Sequence, residues 1–371
     1  MMSFFASRLF YILFGLLVVG LAIFDYFIKR KKITQIAFII VLVVYVIFAS
    51  IRSSNVGLDT SVYSKTYEAC KNLNQAKIII GNNRPEYLFY SLVTLFSGVF
   101  KVSEVVFRFF YYSIIATCIF FSFRKLEFSM FAFALFLFLG FFNMSFSGIR
   151  QTMSMALMTL AIYWLLYPGW NIKKKIILYY ALNIVSIGFH SSSLIMLLVP
   201  LIFMIPVTKN NFIFLLPLLL FIPMVIKKGV YLVSFYTYVA YVFDTYRISI
   251  TFILTLMLLV IYYLFVGCPK ISDWLNNKLK FLSFDYKEID SKNILLVFVS
   301  LSFMACNSFS LVLPRYSMYF YLGVSCFVMH FFICFKNIKL KTLSYCAILG
   351  VFFLYFIYSV PALGLVPYAI R

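Results

Sequence analysis

The chain has 371 residues, of which 64% are hydrophobic, 21% aromatic and only 12% charged. Soluble domains are about half apolar and a quarter charged, so this composition excludes an ordinary soluble protein. Lys and Arg outnumber Asp and Glu by 32 to 11, a formal net charge of +21. The basic residues lie in short runs between apolar segments, which indicates the positive-inside arrangement of a multi-pass membrane protein rather than nucleic-acid binding.

The first two apolar runs predict a pair of membrane-spanning helices. Residues 9–28 and 33–51 are each close to the roughly 20 residues that a span needs. The basic cluster at 29–32 follows the first run, so this run is interpreted as an uncleaved span with its N-terminus outside. The loop over residues 52–85 is therefore expected at the outer face.

The next apolar stretch, residues 86–100, is too short to span. We interpret it as a re-entrant or interfacial helix on the outer side, followed by a span at 102–123. If residues 86–100 crossed the membrane instead, the basic run Lys173–Lys175 would lie outside, against the positive-inside rule.

The rest of the chain predicts nine more spans, so the fold class is an all-α polytopic membrane protein. We expect about twelve spans in a single transmembrane domain, within a range of about 11–14, and both termini outside. The nine cover residues 128–146, 149–166, 176–187, 191–205, 212–226, 248–266, 293–311, 316–335 and 343–360. Residues 230–247 are tyrosine-rich and predict an outer interfacial segment, and residues 268–292 predict a basic cytoplasmic loop.

Four polar segments interrupt the apolar chain, and this topology puts all of them at the outer face. They are residues 52–67, 147–151, 188–193 and 314–316. Polar groups at a membrane boundary are costly unless they pair or bind something, so we expect these segments to meet. The same topology places all arginines except Arg30 and Arg124 at or near the outer side, and most lysines inside. Because guanidinium groups suit phosphate, an anionic substrate such as a lipid-linked pyrophosphate is indicated.

Each polar segment also has a purely structural interpretation. Arg150 could reach the headgroups from a capped helix start, and His190 could be a satisfied histidine at a helix junction. Gly57 and Asp59 could form a plain turn, and Arg315 could anchor the interface. The sequence contains no nucleotide-binding or metal-binding motif and no CxxC pair, so no cofactor, metal site or disulfide framework is expected.

In their order, the polar segments resemble the EpsG-like branch of the Wzy-type polysaccharide polymerases. The resemblance rests on R…N.G.D…Y…Y from Arg52 to Tyr67, IRQ at 149–151, FHSSSLI at 189–195, RY at 315–316 and the Pro-Tyr pair at 367–368. It implies an enzyme of the bacterial inner (cytoplasmic) membrane that polymerises undecaprenyl-pyrophosphate-linked repeat units of O-antigen, capsule or exopolysaccharide at the periplasmic side. It also implies metal-independent transfer onto the non-reducing end of another lipid-linked glycan, with the bilayer and a chain-length regulator as partners.

The residues suggest roles in such a transfer, which needs cations for the departing pyrophosphate and a base for the acceptor hydroxyl. Arg150 and Arg315 are expected to hold the pyrophosphate with support from Arg52. Either His190 or Asp59 is expected to be the base, and histidine in general titrates near neutral pH. Further expected substrate contacts are Asn55, Tyr63, Tyr67, Glu86, Gln151 and Tyr316.

Three other functions remain open from the sequence. A glycan ligase would use the same lipid carrier and nearly the same cavity. A flippase would need a cationic path through the full membrane depth, whereas the charges here collect at one predicted face. A membrane acyltransferase would need a second polar site for its acyl donor, and the predicted inner loops offer none.

Overall fold

The computed structural model describes residues 4–28, 31–83, 86–166, 169–204, 250–266, 291–305, 313–333, 335, 337–363 and 365. Two compact units are present: Met1–Leu198 with Val351–Arg371, and Val199–Gly350. Each unit is described by itself. The predicted span at 212–226, the interfacial segment at 230–247, nearly all of the basic loop at 268–292 and the Pro-Tyr pair at 367–368 lie outside the described residues.

The first unit is built from helices joined by short turns. They are α1 (Phe4–Ile28), α2 (Lys31–Ile51), α3 (Thr60–Ala69), α4 (Leu73–Asn82), α5 (Tyr87–Thr94), α6 (Glu104–Phe123), α7 (Ser129–Phe136), α8 (Phe142–Ser147), α9 (Ile149–Leu166) and α10 (Ile172–Phe189). Single π-helical turns, Leu95–Val99 and Leu137–Phe141, follow α5 and α7, and a 3-10 helix, Ser191–Leu198, follows α10.

The second unit is also helical where it is described. Its helices are α11 (Val199–Ile202), α12 (Ile250–Val266), α13 (Ser291–Ala305), α14 (Leu313–Ser317), α15 (Tyr321–Ile333) and α16 (Ile338–Ser359). Helix α16 continues into the first unit from Val351 onward and ends there in a 3-10 turn, Val360–Leu363.

Five helical stretches of the described chain are long and apolar enough to cross a membrane. They are Ser7–Ile28, Lys31–Ile51, Glu104–Phe123, Ser129–Ser147 and Ile338–Ser359. Each coincides with a predicted span within a few residues. The chain is therefore a helical, multi-pass membrane protein, as the sequence predicts.

Two stretches fold differently from the prediction. Residues 52–85, expected as a loop, contain the helices α3 and α4, and the Asn72 side chain caps α4 by accepting from the backbone N–H groups of Asn74 and Gln75. Residues 191–205, expected as one span, begin with the 3-10 helix and the single turn α11. Three consecutive serines favour tight turns there, and Pro200 removes a backbone donor from a longer α-helix.

The helix pair α7–α8 forms the centre of the first unit, and its membrane-length window is 100% buried. Gly140 breaks the pair at φ 132°, a left-handed conformation that favours glycine. At the start of α7, Asp25 of α1 accepts a hydrogen bond from Thr34 Oγ1 of α2 (2.7 Å) and one from the Met130 backbone N–H (3.3 Å). At its other end, Asn143 donates to Ser359 Oγ at 2.6 Å.

The segment between α2 and α3 docks against the end of α8. The Phe146 carbonyl accepts from Arg52 Nη2 (3.3 Å) and from Thr60 Oγ1 (2.9 Å). Gly57, at φ 96°, lies so close that an added Cβ would run into the same carbonyl. Only glycine fits both the backbone conformation and the space. We call the contact of Gly57 with the Phe146 carbonyl the latch, and it fixes the segment beside the first turn of α9.

A buried ion pair joins α6 to the same segment. Glu104 and Arg108, one helical turn apart, pair with side chains only 3% and 2% exposed. Arg108 also donates to the Arg52 carbonyl (2.7 Å) and to Ser64 Oγ of α3 (3.0 Å), and Ser64 donates to Glu104 (2.7 Å). Full pairing makes this charge burial tolerable and ties α3 to α6.

Helices of the second unit pack closely around α13. Gly323 of α15 lies against Leu296, where a Cβ would meet the leucine side chain. The ring of Tyr316 lies 5.5 Å from that of Phe303, and His330 lies 2.8 Å from the Cys326 carbonyl through Nδ1.

Candidate active site

Glu86 joins two of the polar segments predicted from the sequence. Its carboxylate Oε2 pairs with Arg150 Nη1, and Oε1 lies 2.5 Å from His190 Nδ1. The Ser191 backbone N–H and hydroxyl lie 3.3 Å and 3.5 Å from the same Oε1. We call Glu86, Arg150 and His190 the Glu86 cluster. Arg150 follows Glu86 by 64 positions in the sequence and His190 follows it by 104, so the fold brings distant parts of the chain together.

The backbone explains how α10 delivers His190 to Glu86. Gly188, in the last turn of α10, lies directly against the Leu88 side chain of α5, where an added Cβ would come within 2.7 Å of Leu88 Cγ. His190 then leaves the helix in an extended conformation, and Ser193 Oγ donates to its carbonyl at 3.0 Å. The close approach of α10 to α5 therefore depends on the missing glycine side chain.

Arg150 lies in the first turn of α9, in an aromatic frame. Its Nη1 donates to the Tyr90 hydroxyl at 2.8 Å, and its guanidinium carbon lies 5.5 Å, 5.9 Å and 5.7 Å from the ring centres of Tyr63, Phe89 and Tyr90. The aromatic faces attract the cation and hold it in place. Arg150 Nε is buried and has no hydrogen-bond partner within the described ranges, so the guanidinium keeps a donor unused.

The pKa of Glu86 identifies its role in the cluster. Burial alone would raise this pKa, but the His190 hydrogen bond, the charges of Arg150 and His190 and the Ser191 N–H bring it below the ordinary value. Both carboxylate oxygens are already engaged, so Glu86 is a poor base. It is suited to orienting its two partners.

Solvent reaches the partners of Glu86 more than Glu86 itself. The side chains of Arg150 and His190 are each 24% exposed, against 11% for Glu86. Among the described residues, His190 Nε2 has no hydrogen-bond partner. The cluster thus presents an imidazole nitrogen and a guanidinium outward, with the carboxylate behind them.

Tyr63 and Asp59 lie beside the cluster. Burial raises the pKa of Tyr63 to about 12, although the nearby Arg150 opposes that rise, so the phenol stays protonated at neutral pH. The Asp59 charge acts on the same phenol, and its carboxylate does not cap α3. Asn55 is exposed in the preceding turn, and Gln151 is buried in the first turn of α9.

Two predicted substrate contacts, Arg52 and Tyr67, are buried and contact other parts of the protein. Arg52 is 1% exposed, donates to the carbonyls of Ala49 and Phe146 and lies over the Tyr112 and Phe146 rings. Tyr67 is also 1% exposed. Its ring packs against Phe107, and its hydroxyl donates to the Val102 carbonyl at 3.0 Å. Their roles as substrate contacts stay predictions.

Arg315 and Tyr316 belong to the second unit, on α14. Arg315 is exposed, and Tyr316 is partly exposed. Their roles as substrate contacts stay predictions.

Two residues of the site were not singled out from the sequence. Tyr90 lies four residues after Glu86, so the two share one helix face, and this spacing is the signal that could have found it. Ser191 lies inside the FHSSS motif but was not given a role. Its N–H points at Glu86 because the chain turns into a 3-10 helix directly after His190.

These features define a helical membrane protein with a charged cluster held by its aromatic surroundings. The family model described as the EpsG family matches residues 35–370, and the chain belongs to that family. The resemblance inferred from the polar motifs is thereby confirmed. Membership gives the chain a polymerase-like, broadly glycosyltransferase-type role in polysaccharide biosynthesis. No curated protein and no solved structure was found to match the chain.

Proposed function

We propose that the protein polymerises lipid-linked oligosaccharide repeat units. It would transfer a glycan from undecaprenyl pyrophosphate to the non-reducing end of a second lipid-linked repeat, at the periplasmic face of a bacterial inner membrane. The observation that carries this proposal is the Glu86 carboxylate, which bonds a candidate base, His190, and a candidate pyrophosphate ligand, Arg150.

His190 is the proposed general base. When the imidazole is neutral and its proton is on Nδ1, the Nδ1–H donates a hydrogen bond to Glu86. Nε2 is then unprotonated and able to accept a proton. A carboxylate that fixes the tautomer and orientation of a histidine is a recurring arrangement in enzymes. This geometry favours His190 over Asp59, which has no such orienting partner among its described contacts.

Arg150 is the proposed ligand for the pyrophosphate. Its side chain is 24% exposed beside the more deeply buried Glu86, and a guanidinium suits phosphate oxygens. Arg315 and Tyr316 are proposed as further substrate contacts on the grounds of their motif alone. Because guanidinium groups supply the positive charge that the leaving group needs, we propose a metal-independent transfer.

In the proposed step, the acceptor hydroxyl oxygen forms a bond to the anomeric carbon of the donor sugar. The bond from that carbon to the pyrophosphate oxygen breaks, and its electron pair leaves with the pyrophosphate. The hydroxyl proton passes to His190 Nε2 and from there to solvent. Undecaprenyl pyrophosphate and a lipid-linked glycan one repeat longer are the products.

The proposed topology has about twelve spans with the Glu86 cluster at the outer side. The lysine-rich runs on the opposite side of the predicted spans support this orientation. A partner that regulates chain length is part of the same proposal.

The test is a cell-free reaction with purified protein and lipid-linked repeat units. We expect the wild type to make longer lipid-linked chains. General bases contribute about 10²–10⁴-fold and charge-stabilising donors about 10²–10³-fold, so His190→Gln and Arg150→Gln should lower the rate by such factors. His330→Gln is the matched control, because His330 is the other of two histidines and its side chain bonds locally. Its rate should equal that of wild type.

The same assay separates the alternatives. Transfer of a finished glycan to a different acceptor without chain growth would identify a ligase. If the wild type transfers no glycan at all, the remaining alternative is a flippase. Full activity in both His190→Gln and Arg150→Gln would show that the Glu86 cluster takes no part in the reaction. The proposal that the protein is a polymerase would stand.

A further inference from the structure

A concave site lies about one membrane thickness from the Glu86 cluster. It is a pocket of about 520 Å³ whose lining includes Arg124, Lys125, Trp164 and Trp170. We propose that this pocket binds the phosphate headgroup of an anionic phospholipid. The proposal does not depend on the proposed polymerase reaction.

The helices fix the position of the pocket. Helix α6 begins at Glu104 and ends directly before Arg124, and α9 begins at Ile149, beside Arg150, and ends at Leu166. Helix α10 begins just after the pocket and ends beside His190. At 1.5 Å per residue these helices are about 27–30 Å long, so the pocket lies at the opposite membrane boundary from the Glu86 cluster.

The cations at the pocket have no carboxylate partner in the described part of the chain. Arg124, Lys125 and Lys174 form none of its ion pairs, and neither does Glu127, the nearest acidic residue in sequence. The Arg124 guanidinium lies 4.4 Å from the centre of the Phe121 ring. Their positive charge is therefore available to a phosphate group.

The aromatic wall is typical of the headgroup level of a bilayer. Trp164 and Trp170 meet edge to face with centroids 4.6 Å apart, and Lys174 Nζ lies 4.4 Å from the Trp170 ring centre. Indole rings favour the membrane interface, where one edge is wet and the ring is apolar. Two tryptophans beside three unpaired cations therefore indicate a lipid headgroup.

An apolar groove begins at the same pocket and favours a lipid over a free phosphate ion. This groove, about 420 Å³ between α2 and α6, shares Phe121 with the pocket. Among the described residues that line it, the hydroxyls belong to Ser113 and Thr117, and each donates to a carbonyl of its own helix, at 2.7 Å and 2.8 Å. It thus offers no hydrogen-bond donor of its own and suits an acyl chain that extends from a headgroup in the pocket.

The test measures tryptophan quenching in nanodiscs of phosphatidylcholine that contain a small fraction of brominated phosphatidylglycerol. Trp274 is replaced by Phe so that Trp164 and Trp170 give the whole signal. A basic residue near an anionic lipid is worth about five-fold in binding, so we expect at least a ten-fold preference over brominated phosphatidylcholine. Quenching with no headgroup preference would overturn the proposal.

Two comparisons locate the effect and identify the ligand. The triple variant Arg124→Gln, Lys125→Gln, Lys174→Gln should lose the preference. The control variant Lys65→Gln, Lys71→Gln, Lys77→Gln, with the same loss of charge on α3, α4 and the turn between them, should keep it. Equal loss in both would refute the pocket. Millimolar glycerol 3-phosphate should not reverse the quenching, and reversal would mean that the pocket recognises a phosphate group without the acyl chain in the groove. The wild-type data decide the question if the triple variant fails to fold.

Discussion

Glu86 uses each carboxylate oxygen for a different partner, Oε2 for Arg150 and Oε1 for His190. Both partners were predicted because they lie in the short polar segments 147–151 and 188–193 of an otherwise apolar chain. Their common contact with Glu86 was not, since pairing over such sequence separations depends on how α5, α9 and α10 pack. The burial of Arg52 was not predicted either, because sequence does not separate an arginine that donates to buried carbonyls from one that faces outward.

Replacement of Glu86 by Gln should change how stability depends on acid. The folded-state pKa of Glu86 is lowered from its ordinary value of about 4.5. Its contribution to the free energy of unfolding is therefore present above that value and lost as pH falls through the folded pKa. We expect the wild-type melting temperature in detergent to fall more steeply below about pH 4.5 than that of Glu86→Gln.

Glu68→Gln provides the comparison for that titration. Glu68 pairs with Lys71 on the surface at 52% exposure, where ion pairs contribute little. Below about pH 4.5, the melting temperature of Glu68→Gln should fall as steeply as that of wild type. If the melting temperatures of wild type and Glu86→Gln fall equally steeply in acid, the contacts of Glu86 do not stabilise the fold.

Helix α9 has the bounds predicted from the sequence, because its apolar run begins directly after Gly148 and stops before a Pro-Gly pair. Helices α3 and α4 were missed because each has only 10 residues and mixes polar with apolar side chains. Their stability comes from tertiary contacts such as Ser64 with the Glu104–Arg108 pair, which no local pattern records. The latch at Gly57 is likewise a long-range contact, with Phe146.

Gly57→Ala should destabilise the protein and displace the segment before α3. The left-handed backbone alone costs an alanine roughly 1–2 kcal/mol, and its Cβ would also strike the Phe146 carbonyl. We expect a melting temperature lower by a few degrees and shorter polysaccharide chains on a gel ladder. The matched change Gly81→Ala, in α4 where a Cβ meets nothing within 4 Å, should leave both unchanged. Equal melting temperatures for both variants would argue against the latch.

For the whole molecule, composition was enough to predict a helical multi-pass membrane protein, because about 64% hydrophobic residues leave no soluble alternative. Hydropathy alone does not order the helices in space. It assigned residues 191–205 to a span, whereas local serine and proline chemistry gives a 3-10 start.

Cysteine labelling in intact cells tests the proposed orientation. In a background without the seven native cysteines, Lys65→Cys on α3 should react with a membrane-impermeant maleimide. Lys173→Cys, at the start of α10, should react only after the membrane is permeabilised. Both side chains are exposed, so access to the reagent decides the result. The opposite labelling pattern would invert the topology and move the Glu86 cluster to the cytoplasm.

The helix pair α7–α8 is apolar enough to span a membrane, with a mean hydropathy of 1.8, yet all of its membrane-length window is buried by protein. Helix α1, by contrast, has only 39% of its window buried. Over evolutionary time, lipid-facing positions of α1 can exchange one apolar residue for another of different shape. The phenylalanines of α7–α8 are each bounded by neighbours, so they can change only together with those neighbours. Sequence divergence should therefore be slower in α7–α8 than in α1, because of packing alone.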